Sequence, residues 1–256
     1  MPIYDKPTKT LMREFAERKL AGGQVFANSD AVRWFADHYP KIKPGTVQAH
    51  VEAMAVNSRS RKHYPNIGPG SGHDLFFKVG PGRYRLWDPE SDPRPIYGGD
   101  IIAAEKGGDE TVGDVEDEDE ELEAGAAARE FAFERDLRNY LSKNLDSLEA
   151  GLRLYEDEGL TGVEFPVGGR YIDILAVDAQ GEFVVIELKV SRGYDRAVGQ
   201  LLRYMGWVEK NLARDNKVRG MIVANEITED LKLAASRVAG VRLFEYGILF
   251  NLNPVE

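Results

Sequence analysis

The chain has 256 residues, a net charge of −10 at pH 7 and no cysteine. This length is enough for two modest domains, each with its own hydrophobic core. The missing cysteine excludes thiolate catalysis, disulfide bonds and cysteine-based zinc sites. Residues 1–10 lack the apolar core of an export signal, and no stretch approaches the roughly 20 apolar residues that span a bilayer, so we expect a cytoplasmic protein without a membrane segment.

The charge is distributed unevenly along the chain. Residues 109–123 carry ten acidic and no basic groups. Residues 1–97 carry fifteen basic and ten acidic groups, a balance of +5, whereas residues 124–256 carry seventeen and twenty-one, a balance of −4. The part of the chain that attracts a polyanion such as DNA is therefore the first one.

The first domain, residues 1–97, is predicted to begin with three helices. Apolar residues recur at helical spacing in three segments, residues 8–21, 30–38 and 46–55. Asn28 or Ser29 can cap the second helix. The third helix should direct its larger apolar residues inward. The residues that it leaves facing outward are Thr46, Gln48, Ala49 and Ala53.

A β-hairpin follows these helices. Leu75–Val79 and Arg83–Trp87 flank a turn of Gly80, Pro81 and Gly82. Three helices and a hairpin indicate a winged helix, whose third helix enters the major groove while the hairpin touches the DNA backbone. The expected DNA contacts are Thr46 and Gln48 at base edges and Arg59, Arg61, Lys62, Lys78, Arg83 and Arg85 at phosphates. The alternative is a module that packs or docks without binding DNA.

Residues 98–129 are predicted to form a disordered acidic linker. They combine mutually repelling charges with glycine and alanine, and they offer almost nothing to bury. A solvated spacer is favoured over an acidic segment that occupies a basic DNA groove. The linker separates the first domain from a second domain of residues 130–256.

The second domain alternates strands and helices. Gly168 and Gly169 predict a two-residue turn between strands at Val163–Val167 and Tyr171–Val177, and a third strand follows at Phe183–Val190. The later predicted elements are a helix over 192–212, a strand over 219–224, a helix over 229–238 and a final hairpin of residues 241–246 and 248–252. This order indicates a mixed α/β (α+β) sheet flanked by helices.

Asp173, Glu187 and Lys189 form the most informative pattern in the chain. Side chains alternate along a strand, so Glu187 and Lys189 share one face. The turn at Asp178–Gly181 folds the preceding strand back and brings Asp173 beside Glu187. Two close carboxylates repel unless a cation lies between them, and hard oxygen ligands suit Mg²⁺ or Mn²⁺. An isolated Glu-x-Lys is more often a surface ion pair, but the apolar run Phe183–Ile186 is typical of a buried central strand.

Two helices are predicted to complete this cluster. An apolar stripe from Phe133 to Leu148 has helical spacing, and Glu134 at its edge can supply a third carboxylate. The helix after the third strand carries Gln200 one turn before Tyr204. The candidates on this helix for contact with the DNA backbone are Arg192 and Arg196.

Together these motifs resemble the PD-(D/E)xK nuclease superfamily, specifically the C-terminal nuclease domain of its NucS (EndoMS-like) branch. The resemblance rests on Glu134 and on the segments Gly169–Asp173, Val184–Lys189 and Gln200–Trp207, and it covers about half of the chain. The proline of the superfamily name is absent, since Ile172 precedes the aspartate. The resemblance implies a restriction-endonuclease-like fold and a Mg²⁺-dependent endodeoxyribonuclease in which Mn²⁺ can substitute.

The resemblance also implies a role for each residue of the site. Asp173 and Glu187 would ligate the metal, and Glu134 would ligate a second ion or hold a metal-bound water. Lys189 would orient the attacking water and stabilise the developing negative charge. Gln200 would position the site from its helix. The substrate would be double-stranded DNA, and a homodimer, which the sequence permits, would serve the cutting of two strands.

The biological target has more than one interpretation. A winged helix joined to this nuclease favours a restriction or defence enzyme, with sensing of modified bases as one version of that role; this is a likeness of architecture only. NucS relatives cut both strands around mismatched bases, but their first half is a different, β-rich domain, so a mismatch-directed repair endonuclease is the alternative. A non-catalytic DNA-binding regulator is disfavoured because the complete acidic set is present.

Overall fold

The computed structural model describes residues 4–21, 23–97, 134–190 and 194–248. The predicted acidic linker and Arg192 lie outside these residues, as does most of the last predicted strand, 248–252. Among the helices of the described segments, none combines the length and the apolar character that crossing a membrane requires.

Three helices and a small antiparallel sheet make up the first domain. The helices are α1 (Thr8–Lys19), α2 (Asn28–His38) and α3 (Pro44–Ala53). The strands are β1 (Phe26–Ala27), β2 (Phe76–Gly80) and β3 (Arg83–Leu86), in the sheet order β1-β3-β2. A short 3₁₀ helix, Arg59–His63, lies between α3 and β2. The predicted helices and hairpin are confirmed, whereas the two-residue strand β1 was too short to detect.

Local interactions explain where the helices of the first domain begin and how they pack. The Asp30 carboxylate accepts a hydrogen bond from the Ala27 N–H at 2.9 Å, which satisfies a free donor at the start of α2. Pro44 occupies the first turn of α3, where its missing N–H costs nothing. The Phe26 ring packs against those of Phe15 and Phe76, with centroids 5.3 and 5.0 Å away. The first domain therefore has its own aromatic core.

A mixed sheet with flanking helices forms the second domain, as predicted. Its helices are α4 (residues 134–141), α5 (Tyr194–Val208), which continues as a π-helical turn over Glu209–Ala213, and α6 (Glu229–Ser236). Its strands are β4 (Arg153–Leu154), β5 (Glu156–Asp157), β6 (Leu160–Thr161), β7 (Val163–Val167), β8 (Arg170–Val177), β9 (Phe183–Lys189), β10 (Val218–Ala224) and β11 (Val241–Glu245). The main sheet has the order β11-β10-β9-β8-β4, and β7 also pairs with β8.

The position of β9 in this sheet follows from its sequence. Residues 183–188 are all buried, and the strand pairs with β8 on one side and with β10 on the other. Strand β8 turns back from β7 through Gly168 and Gly169, whose φ angles of +61° and +95° lie in the region that glycine adopts readily. The strands that carry the acidic residues are therefore the central ones.

The two domains pack against each other through α3. One apolar cluster contains Ala49 and Ala53 of α3, Tyr64 beyond the 3₁₀ helix, and Phe165 of β7. At the start of α3, a Cβ on Gly45 would lie 2.5 Å from Leu212 Cδ2, so any larger residue there would force the Leu212 side chain to move. The face of α3 that was predicted to point outward is therefore covered by the second domain.

A buried carboxylate adds a polar contact between the domains. Glu52 of α3 is 3% exposed and accepts hydrogen bonds from Lys78 Nζ and Tyr171 Oη, both at 2.8 Å, and from the Tyr84 hydroxyl. Burial opposes the charged form, but Lys78 and the hydrogen-bonding hydroxyls hold the pKa of Glu52 below its ordinary value. Tyr171 belongs to β8, so this carboxylate ties the first domain to the strand that carries Asp173.

Candidate active site

Asp173 and Glu187 lie side by side at one end of two antiparallel strands. The last residue pair of the β8–β9 ladder at this end is Ile174 with Ile186, and the two acidic residues come directly beyond it. The Asp173 carboxylate also accepts a hydrogen bond from the Leu188 N–H at 2.9 Å. The adjacency expected from the strand alternation is therefore present.

The Glu187 carboxylate is buried with few partners. It is 1% exposed, and within the described residues neither of its oxygens accepts a well-formed hydrogen bond. Lys189 Nζ lies 2.8 Å from Glu187 Oε1 and forms an ion pair with it. Burial, and secondarily the neighbouring Asp173 charge, raise the pKa of Glu187 to about 8. A carboxylate in this state gains strongly from a nearby cation.

Glu134 and Asp173 experience the same kind of environment. Glu134 lies on helix α4, and burial together with the Asp173 charge raises the pKa of its carboxyl group to about 7. Burial also raises the pKa of Asp173, against the lowering effect of the Leu188 N–H and of Arg138. Three carboxyl groups with raised pKa values near one another indicate a site that is short of positive charge.

Lys189 connects the acidic pair to helix α5. Its Nζ lies 3.5 Å from Gln200 Oε1, and Gln200 Nε2 in turn donates to the Tyr204 hydroxyl at 3.2 Å. Burial alone would lower the pKa of Lys189, but Glu187, Asp173 and Glu134 raise it, so the ammonium stays charged. Helix α5 thus places the Gln200 side chain next to Lys189, where the sequence motifs predicted it.

The donor set fits a hard divalent cation such as Mg²⁺. Asp173, Glu187 and Glu134 would hold the ion, because all three offer oxygen ligands and neither Glu187 oxygen accepts a well-formed hydrogen bond from a described residue. As they stand, the described side chains include no group of three acidic or histidine residues arranged so that it could hold a metal ion. Two protein cations lie near the carboxylates instead: Lys189 Nζ is 2.8 Å from Glu187 Oε1, and Arg138 Nη1 is 3.7 Å from Asp173 Oδ1.

Two residues of this site were not identified from the sequence. Arg138, one turn after Glu134 on α4, forms an ion pair with Glu164 and places Nη1 3.7 Å from Asp173 Oδ1. Glu164 lies on β7, the strand that pairs with β8. Signals for both were present, because a helical spacing of four puts Arg138 on the Glu134 face and Glu164 interrupts an apolar strand.

The predicted base-reading residues lie where the two domains meet, not on an open surface of α3. Thr46 is 3% exposed and donates a hydrogen bond to Asp157 Oδ2 at 2.7 Å, in the second domain. Gln48 is partly exposed and lines a small crevice between the domains, together with Arg170. The difference from the expectation arises because the outward face of α3 carries small residues that fit against β7.

The predicted phosphate contacts fall into two groups. Carboxylates of the first domain hold three of the cations: Arg61 pairs with Asp74, Arg85 with Asp92, and Lys78 with Glu52. Arg61 is fully buried, so it is placed as a structural residue. Arg59, Arg83 and Arg196 are exposed. The Lys62 side chain is not among the described parts of the chain.

Family models match both halves of the chain. Residues 133–245 match the Endonuclease NucS C-terminal domain. Residues 7–86 match a domain of unknown function (DUF7669). The second half is therefore similar to the C-terminal domain of NucS endonucleases, in agreement with the sequence motifs.

Curated relatives carry the same name. Endonuclease NucS 2 of Halobacterium salinarum is 35% identical over 130 residues, which are 50% of this chain and 48% of that protein. Endonuclease NucS of Frankia alni is 32% identical over 139 residues, 54% of this chain and 60% of that protein. The chain thus spans about half the length of the curated relatives that it matches.

Two solved structures are similar to part of the chain, with low TM-scores. A repair endonuclease from Pyrococcus abyssi has a TM-score of 0.38 and 26% identity, over 50% of this chain and 49% of that chain. A structure of an EndoMS–dsDNA complex has a TM-score of 0.36 and 26% identity, over 51% and 49%.

Proposed function

We propose that the second domain, with its likeness to the NucS C-terminal domain, makes this protein a Mg²⁺-dependent DNA endonuclease that hydrolyses phosphodiester bonds. The observation that carries the proposal is the buried, poorly hydrogen-bonded Glu187 beside Asp173, with Lys189 against it. In a purely structural ion pair both carboxylate oxygens would be hydrogen-bonded, whereas Glu187 Oε2 has no hydrogen-bond partner among the described residues.

The protein groups have distinct tasks in this reaction. Bound Mg²⁺ would act as a Lewis acid and lower the pKa of a water molecule. Asp173 and Glu187, with Glu134, would hold the ion by their oxygens. Lys189 keeps a positive charge where the phosphoryl oxygens gain negative charge, and Gln200 fixes the position of its ammonium. Tyr204 in turn orients the Gln200 amide.

The proposed substrate is double-stranded DNA. Arg83 and Arg196 are exposed cations in the two domains and are the proposed contacts with the sugar-phosphate backbone. The order α1-β1-α2-α3-β2-β3, with β1 beside β3, supports a winged-helix-like first domain. Since α3 is covered by the second domain, the proposal assigns no base reading to Thr46 or Gln48 in this arrangement.

Matched charge substitutions test the proposal. Glu187→Gln and Lys189→Met should each lower Mg²⁺-dependent cleavage of duplex DNA by about 10²–10³-fold, because each removes a charge that acts on the reacting phosphate. The same changes at exposed positions, Glu229→Gln and Lys217→Met, serve as controls and should cleave like the wild type; their side chains are 81% and 83% exposed. Wild-type cleavage by Glu187→Gln would refute the proposed site.

A panel of substrates separates the two proposed biological roles. A restriction or defence enzyme should prefer particular sequences or methylated duplexes, whereas a repair endonuclease should prefer mismatched ones. Unmodified, methylated and mismatched duplexes of one sequence, together with single strands, are compared at equal enzyme concentration. Absence of Mg²⁺-dependent cleavage on all of them, with DNA still bound, would favour the non-catalytic regulator. Light scattering with and without DNA tests the proposed homodimer.

A further inference from the structure

A line of polar side-chain contacts runs from the first domain into the candidate metal site. His63 ends the 3₁₀ helix of the first domain, and its Nε2 lies 2.8 Å from Glu164 Oε2 on β7. The other Glu164 oxygen forms an ion pair with Arg138, and Arg138 reaches towards Asp173. The Thr161 hydroxyl of β6 donates to the His63 carbonyl at 3.2 Å, so the histidine is anchored at both its backbone and its ring.

Glu164 is held in an unusual backbone conformation opposite Asp173. The pairs Val163–Ile174 and Phe165–Ile172 bracket these two residues in the β7–β8 ladder. The φ angle of Glu164 is +45°, in the left-handed region that non-glycine residues rarely adopt. Such strain persists only where the surrounding structure enforces it, and it occurs preferentially at functional sites. Its effect here is a carboxylate that meets both His63 and Arg138.

Arg138 is a permanent cation that competes with a metal ion for Asp173. It is 4% exposed, and its guanidinium cannot lose its charge to relieve burial. Its Nη1 stands 3.7 Å from Asp173 Oδ1, beyond hydrogen-bonding distance, while its Nη2 is at Glu164. Without Glu164, the nearest compensating charge for Arg138 would be the Asp173 carboxylate itself.

We propose that His63 and Glu164 hold Arg138 away from Asp173, so that the first domain keeps the metal-binding carboxylate available. His63, Glu164 and Arg138 are positioning residues, since they act through Asp173. The inference rests on the proposed function only in taking Asp173 as a metal ligand. It explains why the first domain is docked onto the nuclease-like domain at β7 and is not merely tethered to it.

The proposal predicts a loss of metal affinity that originates in the first domain. Without the His63 ring, Glu164 Oε2 loses its hydrogen bond to the first domain, and Arg138 shifts with the Glu164 carboxylate towards Asp173. The Mn²⁺ dissociation constant should then rise roughly tenfold, the lower end of what loss of a residue behind a metal ligand costs. His63→Gln retains a side-chain N–H at about the same reach and should bind Mn²⁺ like the wild type.

The test is a Mn²⁺ titration of the full-length protein without DNA, with free Mn²⁺ followed by electron paramagnetic resonance. The variants are His63→Ala and His63→Gln. The matched control is His38→Ala, a histidine of α2 whose ring stacks on Trp34 at 4.4 Å. Melting curves without metal establish that each variant is folded. Unchanged Mn²⁺ affinity in a folded His63→Ala protein overturns the proposal, as does equal weakening by His63→Gln.

A double-mutant cycle shows whether the effect passes through Arg138. Arg138→Gln alone should strengthen Mn²⁺ binding, and in that background His63→Ala should cause no further change. Additive effects of the two substitutions would overturn the proposal. If His63→Ala fails to fold, Glu164→Gln replaces it in the same cycle with the same expectation. This test measures only Mn²⁺ binding, so its outcome does not depend on catalysis. A wild-type protein that binds Mn²⁺ but cleaves no DNA in the separate cleavage assay would refute the proposed function, while the Mn²⁺ affinities of the variants would still decide this inference.

Discussion

Replacing Glu52 with alanine tests how firmly the two domains are joined. The carboxylate is almost fully buried and accepts hydrogen bonds from Lys78, Tyr84 and Tyr171. Alanine leaves the Lys78 ammonium, which is 21% exposed, without its counter-charge and removes the acceptor from both tyrosine hydroxyls. The perturbation therefore affects the first domain and its contact with β8 at once.

The magnitude follows from burial. Removing one partner of a buried ion pair lowers the free energy of unfolding by about 3–5 kcal/mol, and the partial exposure of Lys78 places the expected loss near the lower end of this range. Three hydroxyls, those of Ser58, Tyr84 and Tyr171, lose this acceptor and add roughly 1 kcal/mol in total if water partly replaces the carboxylate. We expect the free energy of unfolding to fall by about 3–4 kcal/mol. Tyr171→Phe removes the hydrogen bond from Tyr171 to Glu52 and the contact of the same hydroxyl with Lys78, and should cost about 1 kcal/mol.

The assay is urea unfolding of the purified protein, followed by tryptophan fluorescence and far-UV circular dichroism. Trp34 and Trp87 report on the first domain and Trp207 on the second. The two signals should change together, because the domains share an apolar cluster. Glu17→Ala, at an exposed position of α1, is the control and should stay within about 0.5 kcal/mol of the wild type. A loss below about 1 kcal/mol for Glu52→Ala would refute the reasoning.

Two further predictions concern the acidic cluster and the glycine turns. Without divalent metal, stability should fall as the pH rises from about 5 to about 8, because the raised pKa values of Glu134 and Glu187 keep protons bound in the folded state that the unfolded chain releases. Melting curves across this pH range should show the melting temperature falling as the pH rises, and added Mn²⁺ should reduce that fall. If the melting temperature of Glu187→Gln depended on pH as strongly as that of the wild type, this explanation would be contradicted. Gly169→Ala should destabilise more than Gly181→Ala in urea unfolding, since both have positive φ but only a Cβ at Gly169 meets Pro81, at 3.3 Å. Equal losses would show that the contact with Pro81 is unimportant.

The centre of the candidate site was predictable because strand periodicity determines which side chains share a face. The apolar run at Phe183–Ile186 predicted the central strand, and two glycines predicted the turn before Asp173. From these elements the adjacency of Asp173, Glu187 and Lys189 followed without any tertiary information. The specific roles of these residues in catalysis stay predictions.

The docking of the domains could not be predicted in the same way. Alanine fits both the buried and the exposed face of a helix, so Ala49 and Ala53 did not indicate a contact in the sequence. Only the structure shows that their small size lets α3 approach β7. Arg61 resembled a phosphate contact because its partner, Asp74, is thirteen residues away across a loop. His63 resembled an ordinary surface residue, since a single histidine without metal-ligand spacing carries no signal of a partner on another domain.

The alanine face of α3 limits how the two domains of this protein can be exchanged for those of other proteins. Modules that are joined only by a tether can be exchanged by cutting and splicing at the tether. Here a graft of residues 134–248 onto another domain would leave Phe165 and its apolar neighbours facing water, where they favour aggregation. An engineer who wishes to exchange the first domain must therefore redesign the surface of β7 or retain α3 as part of the transplanted unit.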